Sequence, residues 1–276
     1  MITDQDTNYI YFSEWLRKDF PQVYGQIDAT LNHFEIPHGL LPHTKDYWCR
    51  DYMPIQTGIN KFVQYRYYPD YLANSQSGIS YITDPDKTCK AIGIKTLKTD
   101  IIIDGGNIVR CSDHFIMTEK IFKENPHYSK PQLMAELESL FQAEMILLPW
   151  DKAERYGHSD GIIHFIDNKR ILLTNYKDFD TVLYRKIYKI LSSHFNVIEL
   201  NYTAKKVNKN SWAYINFLQT RNLILVPKLN IGEDDQAFEQ ISSIYSDYQK
   251  NVVQIDMSEI IKMGGALNCI SWNIMK

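Results

Sequence analysis

The stretch GHSDG, residues 157–161, stands at the centre of a regular series of polar residues. Going outward from His158, Asp104 lies 54 residues before it and Asn216 lies 58 residues after it. Asp51 and Cys269 extend the series by a further 53 residues at either end. A repeat of this length is typical of supersecondary units that are arrayed side by side.

Between these positions the sequence repeats the order strand, strand, helix, strand. In one unit the short apolar run Ile101–Ile103 precedes Asp104, and Phe115–Met117 forms a second predicted strand. Pro131–Gln142 then predicts a helix, because Pro opens it and its apolar residues share one face. Met145–Leu148 is the third predicted strand of this unit.

The same order occurs twice more, whereas the segment from Asp51 to Lys98 shows it indistinctly. The predicted elements of these two units are His158–Phe165, Ile171–Thr174, Val182–Leu191, Val197–Leu200, Tyr214–Phe217, Leu223–Val226, Gln236–Tyr248 and Val252–Ile255. The last unit begins at Cys269 and has few residues after it, so the N-terminal segment is expected to complete it.

This pattern predicts an α/β fold. We expect a single domain over residues 1–276 in which five units form a ring, and each unit brings one polar residue to a central site. The alternative is an ordinary α/β fold in which the even spacing has no structural meaning.

Composition excludes several classes of protein. The 30 Lys and Arg residues against 33 Asp and Glu give a net charge of −3, which argues against binding to nucleic acid. No apolar run reaches the roughly 18 residues of a membrane span. The polar segment Met1–Tyr9 has no secretory signal pattern, so a cytoplasmic location is expected. The four cysteines lack CxxC spacing and are predicted to be free thiols.

Two cysteines are candidates for a nucleophile. Cys269 ends the stretch GGALNC, residues 264–269, in which paired glycines allow backbone to approach a ligand closely. Cys49 lies beside Arg50 and Asp51 and competes for the role. For each, an inert buried thiol is the alternative.

The other segments also have two interpretations. His158 and Asp160, two apart on a predicted strand, share a face and could transfer a proton, orient a cation or bind a metal, although a third ligand is lacking. They could equally be solvated surface groups. The third segment could form part of a binding site, with Trp48 as an aromatic wall, Arg50 as a cation and Asp51 as an acid. Alternatively, Arg50 and Asp51 form a structural ion pair. Asp104 begins a sequence that favours a tight turn.

Taken together, the segments resemble the agmatine deiminase and bacterial peptidylarginine deiminase family of guanidine-modifying enzymes. The matching stretches, in order, are WCRDYMP (48–54), IDGGN (103–107), MTEKIFKENP (117–126), GHSDG (157–161), YINF (214–217) with LVP (225–227), and GGALNC (264–269). They extend across nearly the whole chain.

The resemblance implies a five-fold pseudosymmetric α/β propeller with the site on its axis. Cys269 would be the nucleophile and His158 the general acid and base, and Asp51 and Asp160 would bind the guanidinium of a small-molecule substrate. Trp48 would form a wall and Asn216 would support the site, whereas Asp104 and Asn107 look architectural. No metal or organic cofactor is implied.

The reaction would convert a small guanidine compound, agmatine-like or an arginine derivative, to a ureido product and ammonia through a Cys thioether intermediate. Peptidylarginine deimination, amidinotransfer and non-catalytic binding are the alternatives. The stretch around Arg66 resembles one that grips a carboxylate in peptidylarginine relatives, so Arg66 is a candidate substrate-binding residue or a solvated strand residue. Asn268, where the family commonly has His, is expected to point away from Cys269.

Overall fold

The computed structural model describes all 276 residues, and its strands form five separate three-stranded sheets. The strands are β1 (Tyr9–Ser13), β2 (His38–Leu41), β3 (Ile55–Gly58), β4 (Lys61–Arg66), β5 (Leu97–Ile102), β6 (Val109–Arg110), β7 (His114–Thr118), β8 (Glu144–Leu148), β9 (Ile163–Asp167), β10 (Arg170–Leu173), β11 (Asn196–Glu199), β12 (Leu218–Gln219), β13 (Leu223–Lys228), β14 (Asn251–Asp256) and β15 (Ser271–Ile274).

Ten α-helices and several 3-10 turns connect the strands. The helices are α1 (Glu14–Asp19), α2 (Pro21–His33), α3 (Cys49–Tyr52), α4 (Asp70–Ala73), α5 (Gln76–Ser80), α6 (Pro85–Ala91), α7 (Lys120–Glu124), α8 (Lys130–Phe141), α9 (Thr181–Leu191) and α10 (Asp234–Tyr245). Local chemistry sets their ends, since Asp180 caps α9 by accepting hydrogen bonds from the backbone of Val182 and Leu183. None of the helices combines the length and apolarity needed to cross a membrane.

All five sheets have the same topology. The first and second strands pair antiparallel, and the second and third pair parallel through a helical crossover, as in β9, β10 and β11. Four sheets use consecutive strands, whereas the fifth has the order β15-β1-β2. The pairing of Tyr9 with Ile274 confirms that the N-terminal segment completes the last unit.

The boundaries of the first strands were predicted wrongly. Ile101 and Ile102 end β5 and pair in parallel with β4, so they close one unit and do not open the next. His158–Phe165 is a strand only from Ile163 onward, and Tyr214–Phe217 lies in and just after a 3-10 helix. In each case an irregular turn occupies the residues before the strand.

The segment from Asp51 to Lys98, where the pattern was indistinct, forms a complete unit. It contains β3, β4 and the start of β5, but three short helices, α4, α5 and α6, replace one longer crossover helix. None of these helices has the length over which an amphipathic period becomes visible in a sequence.

Candidate active site

The five regularly spaced residues lie in the turns that immediately precede the first strands of the five sheets. Asp51 belongs to the short helix α3, and Cys269 to the turn before β15. Asp104 and His158 each precede a 3-10 helix, and Asn216 follows one. Repetition of one topology therefore brings five distant positions to equivalent places. Hydrogen bonds join Asp104 to His158 and Cys269 to Asn216, and Asp51 lies within 3.7 Å of His158.

His158 lies between two carboxylates. Its Nε2 is 3.0 Å from Oδ2 of Asp104, and its Nδ1 is 3.7 Å from Oδ1 of Asp51. Burial by itself lowers the pKa of His158, but the charges of Asp51 and Asp104 outweigh it and raise the pKa to about 9. The imidazole is therefore protonated at neutral pH.

Asp104 belongs to the site, which corrects its interpretation as architecture alone. Its Oδ2 also accepts a hydrogen bond from Nζ of Lys120 at 3.2 Å. Burial raises the pKa of Asp104, but the hydrogen bond with His158 and the charge of Lys120 hold that pKa below its ordinary value. Asp104 thus stays ionised and fixes the orientation of the His158 ring.

Lys120 was not identified from the sequence as a site residue. It is fully buried at the start of α7, and its Nζ also lies 3.1 Å from Glu124 and 3.6 Å from Asp70. Lys120 lies in the stretch MTEKIFKENP, which matched the family. A lysine next to apolar residues in that stretch was the one sequence feature that could have indicated a buried cation.

Asp160 lies beside the thiol of Cys269, with 3.7 Å between Oδ2 and Sγ. Asn216 joins the two residues, because its Nδ2 donates to Asp160 Oδ2 at 3.1 Å and its Oδ1 accepts from the Cys269 backbone N–H at 3.2 Å. The prediction that His158 and Asp160 share a strand face is wrong. They flank the start of a 3-10 turn, so His158 reaches Asp51 and Asp104 while Asp160 reaches Cys269.

Asn268 does not point away from the site, because residues 267–270 form a turn and not a strand. Its Nδ2 donates to Asp160 Oδ2 at 2.8 Å, and its Oδ1 accepts from Nη2 of Arg50 at 2.8 Å. The Arg50 backbone N–H also donates to the carbonyl of Cys269 at 3.2 Å. Arg50 therefore holds the turn that contains Cys269 against the α3 segment.

The surroundings of Cys269 disfavour its thiolate in the free protein. Burial, followed by the negative charges of Asp160 and Asp51, raises the pKa of Cys269 well above its ordinary value. Burial likewise raises the pKa of Asp51, to about 7, and that of Asp160. A cation placed between the two carboxylates would lower all three pKa values, because it stabilises both carboxylate ions and the thiolate.

Trp48 packs over Gly265 next to Cys269. A Cβ on Gly265 would lie 2.4 Å from the Trp48 ring and 3.1 Å from Cβ of Cys269, so only glycine allows this approach. Cys49 is excluded from the site, since its Sγ donates to the carbonyl of Ile270 at 3.0 Å inside the apolar core.

A cavity of about 350 Å³ opens onto this cluster. Its lining is rich in Trp and Tyr and comprises Trp15, Asp19, Lys45, Asp46, Tyr47, Trp48, Asp51, Tyr67, Tyr71, Leu72, Tyr81, Arg155, Tyr156, His158, Met263, Gly264 and Cys269. Of the predicted site residues, the structure brings Cys269, His158, Asp160, Asp51, Trp48 and Asn216 together.

Arg66 is not part of this site, which corrects its assignment as a substrate-binding residue. Its side chain is exposed and its guanidinium lies 5.1 Å from the ring of Tyr68. The neighbouring Tyr65 and Tyr67 take the buried positions on this part of the chain, and Arg66 projects to solvent between them. The exposed Arg155 lines the cavity instead.

Residues 24–274 match the sequence family described as Porphyromonas-type peptidyl-arginine deiminase. A candidate agmatine deiminase of Mycoplasma capricolum is 24% identical over 222 residues, which cover 67% of this chain and 60% of that protein. The chain thus spans about 60% of the length of the curated relatives it matches.

Two solved structures share the fold across the whole chain. An agmatine deiminase of C. jejuni has a TM-score of 0.77 at 18% identity, covering 100% of this chain and 95% of that one. A candidate arginine deiminase of Porphyromonas gingivalis has a TM-score of 0.77 at 14% identity, covering 100% and 98%. At these identities the similarity establishes the fold alone.

Proposed function

The chain belongs to the Porphyromonas-type peptidyl-arginine deiminase family, and on this basis we propose that it deiminates a small guanidine compound. The observation that carries the proposal is one cluster in which the Cys269 thiol and the protonated His158 imidazole line the cavity and the carboxylates of Asp51 and Asp160 lie beside them. A binding protein would need the carboxylates but not the thiol and the imidazole. Hydrolysis of a guanidinium needs all of them.

Substrate binding rests on Asp51 and Asp160. A guanidinium is planar, permanently charged and rich in forked N–H donors, which suits carboxylates on either side of it. At about 4 Å and an effective dielectric of about 20, each charge pair contributes roughly 4 kcal/mol. The bound cation lowers the pKa of the Cys269 thiol, which releases its proton to solvent because His158 is already protonated, and Sγ is then poised to attack the guanidinium carbon.

The first chemical step forms the C–S bond and breaks a C–N bond. Nε2 of His158 is engaged by Asp104, so Nδ1, which faces Asp51 and the cavity, carries the proton that leaves with ammonia. The neutral imidazole then takes a proton from water as the water attacks the thiouronium carbon. The C–S bond breaks, Cys269 leaves as a thiolate, and the ureido product forms.

The substrate that the cavity favours is a small alkylguanidine of the agmatine type. A volume of about 350 Å³ suits a small molecule, and its aromatic walls suit an alkyl chain. The curated relatives are also candidate agmatine deiminases. The exposed Arg155 at the cavity supports a second candidate, a guanidine that carries a carboxylate.

A substrate panel tests this proposal. Ammonia and ureido product are measured with agmatine, arginine, N-acylarginines and arginyl peptides, using Cys269→Ala as the inactive control. Stoichiometric ammonia and ureido product from agmatine would support it. Absence of both from every guanidine would refute deimination, and preference for the peptides would replace the small-molecule substrate with a protein.

Four further predictions accompany this function. We infer that the five sheets surround a common axis as the blades of a propeller, because the turns before their first strands meet in one cluster, and that residues 1–276 form one domain. A cytoplasmic location and chemistry without a metal or organic cofactor stay predictions. The four cysteines are all unpaired and buried, as expected of free thiols.

A further inference from the structure

A second cavity, of about 530 Å³, also reaches the nucleophile. It is lined by Asp151, Ala153, Glu154, Tyr156, Gly157, His158, Asp160, Gly161, Ile162, Thr174, Tyr176, Phe179, Asp180, Asn210, Trp212, Ile261, Lys262, Gly264 and Cys269. Only four of these residues also line the first cavity, namely Tyr156, His158, Gly264 and Cys269. The thiol and the imidazole therefore lie where two chambers meet.

Tyr156 and Gly264 form the partition between the chambers. A Cβ on Gly264, whose φ is +97°, would lie 2.9 Å from the Tyr156 ring, so these two residues are in close contact. Tyr71 packs edge-on against Tyr156 with 5.0 Å between the ring centroids, and the Tyr156 ring is 5.9 Å from that of His158. Each chamber therefore has its own approach to Cys269.

The two guanidinium-binding carboxylates are divided between the chambers. Asp51 lines only the first cavity, and Asp160 lines only the second. A guanidinium held by both carboxylates lies at the junction. Its alkyl substituent fits the aromatic first cavity beside Trp48, and its unsubstituted nitrogens then face the second.

Charge distinguishes the second cavity. Its outer part contains three carboxylates, those of Asp151, Glu154 and Asp180, but only one cation, Lys262, so its lining is negatively charged. Asp151 accepts a hydrogen bond from the hydroxyl of Tyr176 at 2.6 Å, and Asp180 caps α9, so both carboxylates are fixed in place. A negatively lined chamber attracts ammonium and protonated amines.

We propose that the second cavity is the port through which ammonia leaves and the second nucleophile enters, while the substrate's alkyl chain occupies the first. This inference rests on the proposed deiminase function. It also implies a further activity, because a small primary amine that enters the port can replace water. A protonated amine first loses its ammonium proton to solvent, and the neutral amine then transfers one proton to neutral His158 as it attacks the thiouronium carbon. The C–S bond breaks, Cys269 leaves as a thiolate, and an N-substituted guanidine is released.

The experiment narrows the port without altering the first chamber. Ala153 is exposed at the second cavity, so Ala153→Trp adds bulk there, and the matched control is Lys152→Trp, an exposed neighbour that lines neither cavity. Intact-protein mass spectrometry follows the covalent adduct in a single turnover. Product mass spectrometry with methylamine present measures the ratio of N-methylated guanidine to ureido product.

Wild type is expected to form both products, with a ratio that rises with methylamine concentration. Ala153→Trp should form the adduct as fast as Lys152→Trp but release product about tenfold more slowly. Phe179→Ala widens the same chamber, so with the bulkier butylamine it should raise the proportion of N-substituted guanidine among the products. This variant tests the port even if Ala153→Trp does not fold.

Three results would overturn the inference. Normal turnover without any N-substituted guanidine would remove the amine activity. Equal product release in both tryptophan variants, or an unchanged butylamine share in Phe179→Ala, would remove the port while leaving deimination intact. Absence of adduct and ammonia from wild type would refute the deiminase function itself, and the inference with it.

Discussion

The carboxylate of Asp104 accepts a hydrogen bond from Nε2 of His158 at 3.0 Å, although the two residues precede the first strands of different sheets. This bond leaves Nδ1 as the ring nitrogen that faces Asp51 and the cavity. The two ring nitrogens therefore have different functions. Nε2 holds the ring in place, and Nδ1 is available to carry the proton.

Cys269→Ala should reduce turnover by at least about a thousandfold, because no other thiol reaches the cavity. Cys49→Ala is the matched control. It removes a neighbouring thiol that hydrogen-bonds Ile270 within the core, so most activity should remain. Ammonia release measures both variants, and a haloacetamidine should label Cys269 alone. Near wild-type turnover in Cys269→Ala would contradict the assignment of the nucleophile.

The pH dependence of kcat/KM should be bell-shaped. Activity should rise as pH increases through the Asp51 pKa of about 7, because binding needs the carboxylate. It should fall as pH increases through the His158 pKa of about 9, because the first step needs the imidazolium.

Asp104→Asn should move the alkaline limb of this profile to lower pH by about one unit or more, because the Asp104 charge helps to raise the His158 pKa. Asp113→Asn, which alters an exposed carboxylate beside His114, is the control and should leave the profile in place. An alkaline limb that stays at the wild-type pH in Asp104→Asn would rule out this contact as the cause.

Arg66→Ala should leave kcat/KM almost unchanged for every substrate, because the guanidinium is exposed and contacts only Tyr68 near the surface. Such exposed contacts contribute about 1 kcal/mol or less. Arg155→Ala should lower kcat/KM for N-acetylarginine more than for agmatine if the carboxylate candidate is correct. Equal effects on both substrates would eliminate that candidate, and a large loss in Arg66→Ala would contradict the site as described.

Lys120→Met should lower the free energy of unfolding by about 3–5 kcal/mol, because it removes the buried cation that Asp104 and Glu124 share and leaves Asp104 with His158 alone. Lys123→Met, three residues along on α7, removes an exposed lysine that pairs with Asp70. Its cost should stay below about 1 kcal/mol. Urea unfolding of the two variants gives the comparison, and equal midpoints would show that Lys120 is not a structural cation.

The sequence allowed prediction of the parts of the fold that depend on motifs and spacing. Motifs and spacing predicted the five polar positions and the repeated unit. They also predicted that the N-terminal strand completes the last sheet. The first strands were harder, since β6 and β12 contain two residues each and cannot show an alternating pattern. Asn268 and Asp160 lie in turns, where no period indicates the direction of a side chain.

Side-chain partners that depend on three-dimensional contact were also beyond the sequence. Arg66 had a neighbourhood that resembled a carboxylate grip, but its direction on β4 was decided by the burial of Tyr65 and Tyr67. Lys120 was inside a matched stretch, yet only the packing of α7 against Asp104 shows what it neutralises. The second cavity could not be predicted for the same reason, because its lining residues come from segments far apart in the chain.

The pairing of β1 with β15 has a consequence for how the protein is made. The turn that holds Cys269 leads directly into β15, which becomes ordered only when it pairs with a strand synthesised some 260 residues earlier. A nascent chain can therefore assemble the other four sheets and still lack a positioned thiol until β15 has been synthesised and pairs with β1.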